Sequence, residues 1–168
     1  MDTCDDCGFT YNEDEAGAAA SAIRIGTGEL KDLVHALNGP TARTRPDADT
    51  WSPQEYACHV RDVLLVQRER VLQALREETP SFPPMGRDER VEHDGYASQN
   101  TRHVERQLLD AALMFTNVLD RLEPAQWERT LMYNYPRPWS RSLRWVAVHT
   151  LHEVRHHTAD VRRQLEPS

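Results

Sequence analysis

Residues 51–75, "WSPQEYACHVRDVLLVQRERVLQAL", contain a complete signal for the start of a helix, followed by a long amphipathic pattern. Ser52 is the expected N-cap, Pro53 occupies the first helical position, and Glu55 closes a capping box with Ser52. The helix is predicted to end near Glu78. Its apolar residues recur at helical spacing and share one face: Tyr56, Val60, Val63, Leu64, Val71 and Leu75.

Three further segments have the periodicity of amphipathic helices. They cover residues 15–37, 101–122 and 140–164. A serine, a good N-cap residue, opens the last of them, so Ser140 is predicted to cap that helix.

Two long loops separate these helices. Residues 79–96 contain three prolines, which forbid a long helix there, and residues 123–140 form a second loop. The sequence shows no convincing pair of strands. Four amphipathic helices imply an all-α protein, a four-helix bundle with long inter-helix loops. We expect residues 16–168 to form the bundle and residues 1–15 to form a short, acidic, cysteine-containing N-terminal extension.

The composition argues against several classes of protein. The chain has 168 residues, of which 39% are hydrophobic, and this suits one globular domain. No apolar run reaches about 18 residues, so no membrane span is expected. The net charge of −7 disfavours nucleic-acid binding. The N-terminus is acidic, unlike an ordinary signal peptide, so a cytoplasmic protein is predicted.

Residues 148–160, "VHTLHEVRHHTAD", hold four of the chain's eight histidines. His152 and His156 are one helical turn apart and can both reach one metal ion. His59, on the helix predicted for residues 51–75, is the natural candidate for a third ligand. On a helix, one polar stripe of this segment contains His149, His152, His156 and Asp160.

Other interpretations of these histidines stay open. Each could be an ordinary buried residue with satisfied hydrogen bonds, or together they could form a pH-sensitive structural cluster. Residues 152–156 also match the His-Glu-x-x-His pattern of zincins, but the predicted fold lacks the strands of those enzymes. Glu153 and His157 lie to one side of the polar stripe.

The segments "WSPQEYACHVRDV" and "LHEVRHHTADVRRQL" resemble the DinB-like superfamily, which includes mycothiol-dependent maleylpyruvate isomerases and bacillithiol transferases. The resemblance extends from about Ala16 to Leu165. It implies a four-helix bundle in which one histidine of the second helix and two of the fourth bind a metal ion, usually zinc or nickel. Carried onto this chain, these ligands are His59, His152 and His156.

The resemblance also implies a function. The metal's open coordination position would activate a low-molecular-weight thiol such as mycothiol for attack on an electrophilic substrate. The protein would then be a thiol S-transferase or isomerase, and the resemblance leads us to expect a homodimer. Two alternatives stay open: a metal-dependent hydrolase that uses metal-bound water, with Glu153 or Asp62 as the catalytic base, and a non-catalytic metal-binding or stress-sensor protein.

The leading "CDDCGF", residues 4–9, is not part of the DinB-like pattern. A Cys-x-x-Cys pair suggests half of a zinc site, which a histidine or a second subunit would have to complete. A redox pair and a reduced, partly ordered tail are the other interpretations of Cys4 and Cys7. Cys58 is predicted to lie next to His59 but to point away from it.

Overall fold

A computed structural model of the chain describes residues 3–37 and 39–165. The predicted extents 1–15 and 16–168 therefore include residues 1–2, 38 and 166–168, which lie outside the description. The described residues form six α-helices and three strands: α1 (Ala16–Ala36), α2 (Pro53–Arg76), β1 (Ser81–Phe82), α3 (Arg87–His93), α4 (Thr101–Leu119), α5 (Pro124–Trp127), β2 (Thr130–Asn134), β3 (Pro138–Ser142) and α6 (Leu143–Arg163).

The four long helices, α1, α2, α4 and α6, pack into a bundle. Helices α1 and α2 each contact both α4 and α6 but touch one another little, so they lie across the bundle from each other. This confirms the predicted helical bundle. None of the described helices is long and apolar enough to cross a membrane. Fully buried apolar side chains from all four helices fill the centre, and each contributes about 1.5–3 kcal/mol by leaving water: Ile23, Leu30, Leu64, Leu108, Phe115 and Val146.

Helix α2 begins as its sequence predicts. The Ser52 hydroxyl accepts a hydrogen bond from the Glu55 backbone N–H (3.3 Å), and the Glu55 carboxylate accepts one from the Ser52 N–H (2.8 Å). The capping box is therefore complete, and Arg45 adds an ion pair to Glu55 at 2.7 Å. The helix ends at Arg76, slightly before the predicted Glu78.

Helices α1 and α6 approach closely at Gly26. A Cβ atom placed on Gly26 would lie only 2.8 Å from Val154 Cγ1. Real Cβ contacts are wider than this, so a larger residue would push the two helices apart. The absence of a side chain at Gly26 therefore allows α1 and α6 to pack closely.

The prediction that the chain has no strand pair is wrong. Strands β2 and β3 form an antiparallel hairpin and β1 pairs parallel to β2, giving a three-stranded sheet in the order β1-β2-β3. Leu131 and Tyr133 of β2 are buried while their neighbours are less so, which is the alternation of a half-buried strand. The protein is therefore mostly helical rather than all-α.

The start of α6 also differs from the prediction. Ser140 lies in β3, opposite Met132, and the N-cap is Ser142, whose hydroxyl accepts a hydrogen bond from the Trp145 N–H at 3.0 Å. Both serines suit a helix start locally. Pairing with β2 extends the strand through Ser142 and so delays the helix.

Residues 3–15 are folded against α6, so the interpretation of this extension as a partly ordered tail does not fit. Thr3 and Thr10 pair in an antiparallel bridge, and Gly8 turns the chain with φ +70°, a conformation that favours glycine. The rings of Phe9 and Tyr11 each pack 5.3 Å from the ring of His152.

Candidate metal centre

Helix α6 presents two pairs of potential metal ligands, and the members of each pair are four positions apart. Glu153 and His157 form one pair, and His152 and His156 form the other. Because successive residues on a helix are rotated by about 100°, the two pairs lie on neighbouring faces. The first pair faces α2, and the second faces the N-terminal segment.

The face toward α2 brings His59, Glu153 and His157 together, with their ligand atoms all within 4.8 Å of one another. Glu153 Oε2 lies 3.6 Å from His59 Nε2 and 3.6 Å from His157 Nε2. Two donors that each lie about 2.0–2.1 Å from one tetrahedral ion are about 3.4 Å apart. Both separations from Glu153 are therefore close to those that ligands of a single divalent cation have.

The surroundings of this group hold its rings in place. Asp160 Oδ2 accepts a hydrogen bond from His157 Nδ1 at 2.8 Å, which leaves Nε2 free to bind a metal. The Tyr56 ring lies 5.3 Å from the His157 ring, and the Trp51 ring lies 5.3 Å from the His59 ring. Among the described residues, the buried Nδ1 of His59 has no hydrogen-bond partner.

Charge within the group is balanced between one carboxylate and its imidazoles. Burial by itself would raise the pKa of Glu153, but hydrogen bonds from the three surrounding histidines hold that pKa well below its usual range. Burial would lower the pKa of His157, yet Asp160 and Glu153 raise it to about 9. Without a metal, a proton on His157 neutralises part of the negative charge of Glu153 and Asp160, and a bound cation would replace that proton.

His152 and His156 lie with Cys4 and Cys7 instead, in a second group whose ligand atoms are all within 4.8 Å of one another. The predicted ligands His59, His152 and His156 are thus divided between two groups. Within residues 3–37 and 39–165, no group of three or more such ligand atoms contains His59 together with His152 or His156.

The sequence between residues 22 and 161 matches the family model described as the DinB superfamily. The chain belongs to the DinB superfamily. A solved structure with a similar fold is that of YfiT from Bacillus subtilis, described as a probable metal-dependent hydrolase with an unusual four-helix bundle topology; the TM-score is 0.78 at 16% identity, over 95% of this chain and 92% of that one. No curated protein matches the sequence. The predicted family is therefore confirmed, and the likeness to YfiT shows a shared fold.

In this member of the DinB superfamily, Asp62 lies apart from both groups of ligands. Its carboxylate accepts hydrogen bonds from the Tyr96 hydroxyl (2.7 Å) and the Arg61 Nε (2.8 Å). It also lines a surface hollow of about 720 Å³ between α2 and α4. Asp62 is therefore occupied by contacts with Tyr96 and Arg61 and does not lie beside the histidines of either group.

His149 has both ring nitrogens engaged. Nδ1 lies 3.0 Å from the Tyr11 hydroxyl, and Nε2 lies 3.2 Å from the Tyr133 hydroxyl. Burial lowers the pKa of His149 to about 4, so the ring is neutral at neutral pH. Tyrosine hydroxyls therefore occupy both nitrogens of His149.

From the sequence, Glu153 is predicted only as a possible base, and no role is predicted for His157. A signal for both was present, because a Glu–His pair at positions i and i+4 overlaps the His–His pair, and carboxylates are accepted zinc ligands. The rotation of α6 about its axis decides which pair faces His59. That rotation is set by packing along the whole helix and cannot be read from the motif.

Proposed function

We propose that this protein is a metal-dependent enzyme whose divalent cation is held by His59, Glu153 and His157, in place of the predicted set with His152 and His156. The observation that supports the proposal is that His59 of α2 and Glu153 and His157 of α6 bring their ligand atoms within 4.8 Å of one another. Three protein ligands leave a tetrahedral ion one position for a substrate, as in catalytic rather than structural sites.

Each residue around this point has a definable task. His59 and His157 offer the Nε2 lone pair, and Glu153 offers Oε2 and a negative charge. Asp160 keeps the remaining proton of His157 on Nδ1 and fixes the plane of the ring. Zinc or nickel, when bound, would lower the pKa of a thiol or a water at the open position and so make it a nucleophile at neutral pH.

The proposed reaction is thiol S-transfer or isomerisation, with a low-molecular-weight thiol such as mycothiol as nucleophile and an electrophilic small molecule as second substrate. The family resemblance supports this choice. The surroundings are compatible with it, because Arg87 lies 5.5 Å from the centre of the Trp51 ring and its charge acts on His59. A cationic side chain at this edge of the site favours the thiolate form of a bound thiol.

The second candidate is a hydrolase in which water is the nucleophile. Two histidines and one glutamate form the ligand set of several zinc hydrolases, which favours this reaction. The description of YfiT as a probable metal-dependent hydrolase points the same way. In this case Glu153 serves as a ligand, so its predicted role as base would fall to another group.

One experiment separates these candidates. The metal-free protein is loaded with zinc or nickel and incubated with monochlorobimane plus mycothiol, bacillithiol or glutathione, and separately with a panel of esters and amides. We expect metal-dependent thiol conjugation that is lost in His157→Ala and retained in His103→Ala, which removes an exposed histidine of α4. Hydrolysis without conjugation would favour the second candidate. Metal binding with no turnover of any substrate would contradict the proposal and favour a non-catalytic role.

A further inference from the structure

The N-terminal segment places two thiols against the second histidine pair of α6. Cys4 Sγ lies 3.7 Å from His156 Nδ1, and the ligand atoms of Cys4, Cys7, His152 and His156 are all within 4.8 Å of one another. The two cysteines are separated from the two histidines by most of the chain, so the fold brings the two pairs together.

The turn that presents the cysteines is closed by backbone hydrogen bonds. The Cys4 N–H donates to the Phe9 carbonyl (2.8 Å), and the Gly8 N–H donates to the Cys4 carbonyl (2.8 Å), which closes a tight loop around Cys7. The loop holds both sulfur atoms beside His152 and His156 of α6.

Each histidine of the pair has one nitrogen turned toward the protein and one left for a ligand. His152 Nδ1 lies 2.9 Å from the Tyr11 hydroxyl, while its Nε2 is buried and has no hydrogen-bond partner among the described residues. His156 Nε2 lies 3.6 Å from Asp160, while its Nδ1 faces Cys4. A buried imidazole nitrogen without a partner is costly unless a ligand satisfies it.

We propose that Cys4, Cys7, His152 and His156 bind a zinc ion in a closed tetrahedral site. The spacings Cys-x₂-Cys and His-x₃-His are those of structural zinc sites. Bond lengths of about 2.3 Å to sulfur and about 2.0–2.1 Å to nitrogen require a sulfur–nitrogen separation of about 3.6 Å, close to the 3.7 Å between Cys4 and His156.

The proposed zinc ion also completes the hydrogen bonds behind its ligands. With zinc on His152 Nε2, the ring proton sits on Nδ1 and donates to the Tyr11 hydroxyl. Tyr11 can then donate its own proton to Nδ1 of His149, which lies 3.0 Å away. Binding releases the thiol protons of both cysteines to solvent. All four ligands come from the protein, so this site fastens the N-terminal segment to α6 and leaves no position for a substrate.

Cobalt(II) tests this site without reference to activity. The full-length chain, kept reduced with a non-thiol reductant, is freed of metal and titrated with cobalt. We expect a thiolate-to-cobalt charge-transfer band and the intense visible bands of tetrahedral coordination. The double variant Cys4→Ser/Cys7→Ser should abolish the charge-transfer band, whereas Cys58→Ser, a change of a thiol outside the group, should retain it.

The variants also separate this proposal from the proposed function. His59→Ala should lose the other metal ion and keep the charge-transfer band, and zinc analysis of the double variant Cys4→Ser/Cys7→Ser should show about one equivalent less than wild type. Circular dichroism checks that the double variant is folded. If it is not, X-ray absorption of the zinc-loaded His59→Ala variant decides, because two sulfur neighbours at about 2.3 Å are required. No charge-transfer band in wild type, a band that survives in the double variant, or a Cys4–Cys7 disulfide in the protein as purified would overturn the proposal.

Discussion

Two adjacent histidines of α6 provide a matched test of how the metal ligands are assigned. The side chains of His156 and His157 are 18% and 15% exposed, and each contacts Asp160. Replacing either one by alanine removes the same group from nearly the same depth. Any difference in metal affinity between the two variants therefore reports ligand geometry rather than general loss of packing.

The expected magnitude follows from the contacts. Loss of a residue that only supports a ligand weakens metal binding by about 10–100-fold, so loss of His157 itself should weaken it at least about 100-fold, or about 2.8 kcal/mol. His156→Ala should change affinity at the three-ligand centre by less than about threefold, since its nitrogens face Cys4 and Asp160 instead.

The assay is competition for zinc against a chromophoric chelator. Both changes are made in the Cys4→Ser/Cys7→Ser background, so that the centre between α2 and α6 is measured without the thiol ligands of the second group. Equal weakening by the two variants, or a larger effect of His156→Ala, would refute the assignment and restore the sequence-based set.

Three further predictions concern stability and reactivity. Gly28→Ala should raise the free energy of unfolding by about 1 kcal/mol, because alanine favours the helix and the added methyl meets no atom within 4 Å. Gly26→Ala should lower the free energy of unfolding by up to about 2 kcal/mol, because its methyl would collide with Val154. Urea denaturation of both variants measures the difference. Cys58 is fully buried and burial raises its pKa to about 12, so iodoacetamide should modify the two N-terminal cysteines of the chelator-treated native protein and reach Cys58 only after unfolding, as followed by mass spectrometry. The pKa of His149 falls to about 4 on folding, so as the pH drops the unfolded state binds a proton at His149 before the folded state does. The metal-free protein should therefore lose up to about 3 kcal/mol of stability between about pH 6.5 and pH 4. An equally steep decline in a His149→Gln variant would contradict this prediction.

Local sequence signals were reliable where the structure depends on neighbouring residues. The start of α2 follows from Ser52, Pro53 and Glu55 because all three act within one turn. The start of α6 does not follow from its serines, since Ser140 was available as a cap but is paired with β2 instead. Competition from a distant strand is invisible in a short window, although the alternation of β2 could have suggested the strand itself.

The candidate metal centres show the same contrast between features set by neighbouring residues and features set by distant ones. The sequence identified the DinB superfamily, the helices α2 and α6 that carry the candidate ligands, and a dense set of such residues on α6. It could not decide between overlapping i, i+4 pairs, because the choice depends on the rotation of α6 relative to α2. It also could not show that Cys4 and Cys7 meet α6, because that contact joins the two ends of the chain.

Glu153 lies between the two proposed metal sites and contacts histidines of both. Its Oε1 lies 3.3 Å from His152 Nδ1, and its Oε2 lies 3.6 Å from both His59 and His157. A cation on His152 would add positive charge beside this carboxylate and so reduce the negative charge that Glu153 offers to a second cation on the side of His59 and His157. Because thermodynamic linkage is reciprocal, filling either site should change the affinity of the other by the same factor. The amino-terminal extension would then act as a modulator, tuning how tightly the neighbouring centre retains its ion.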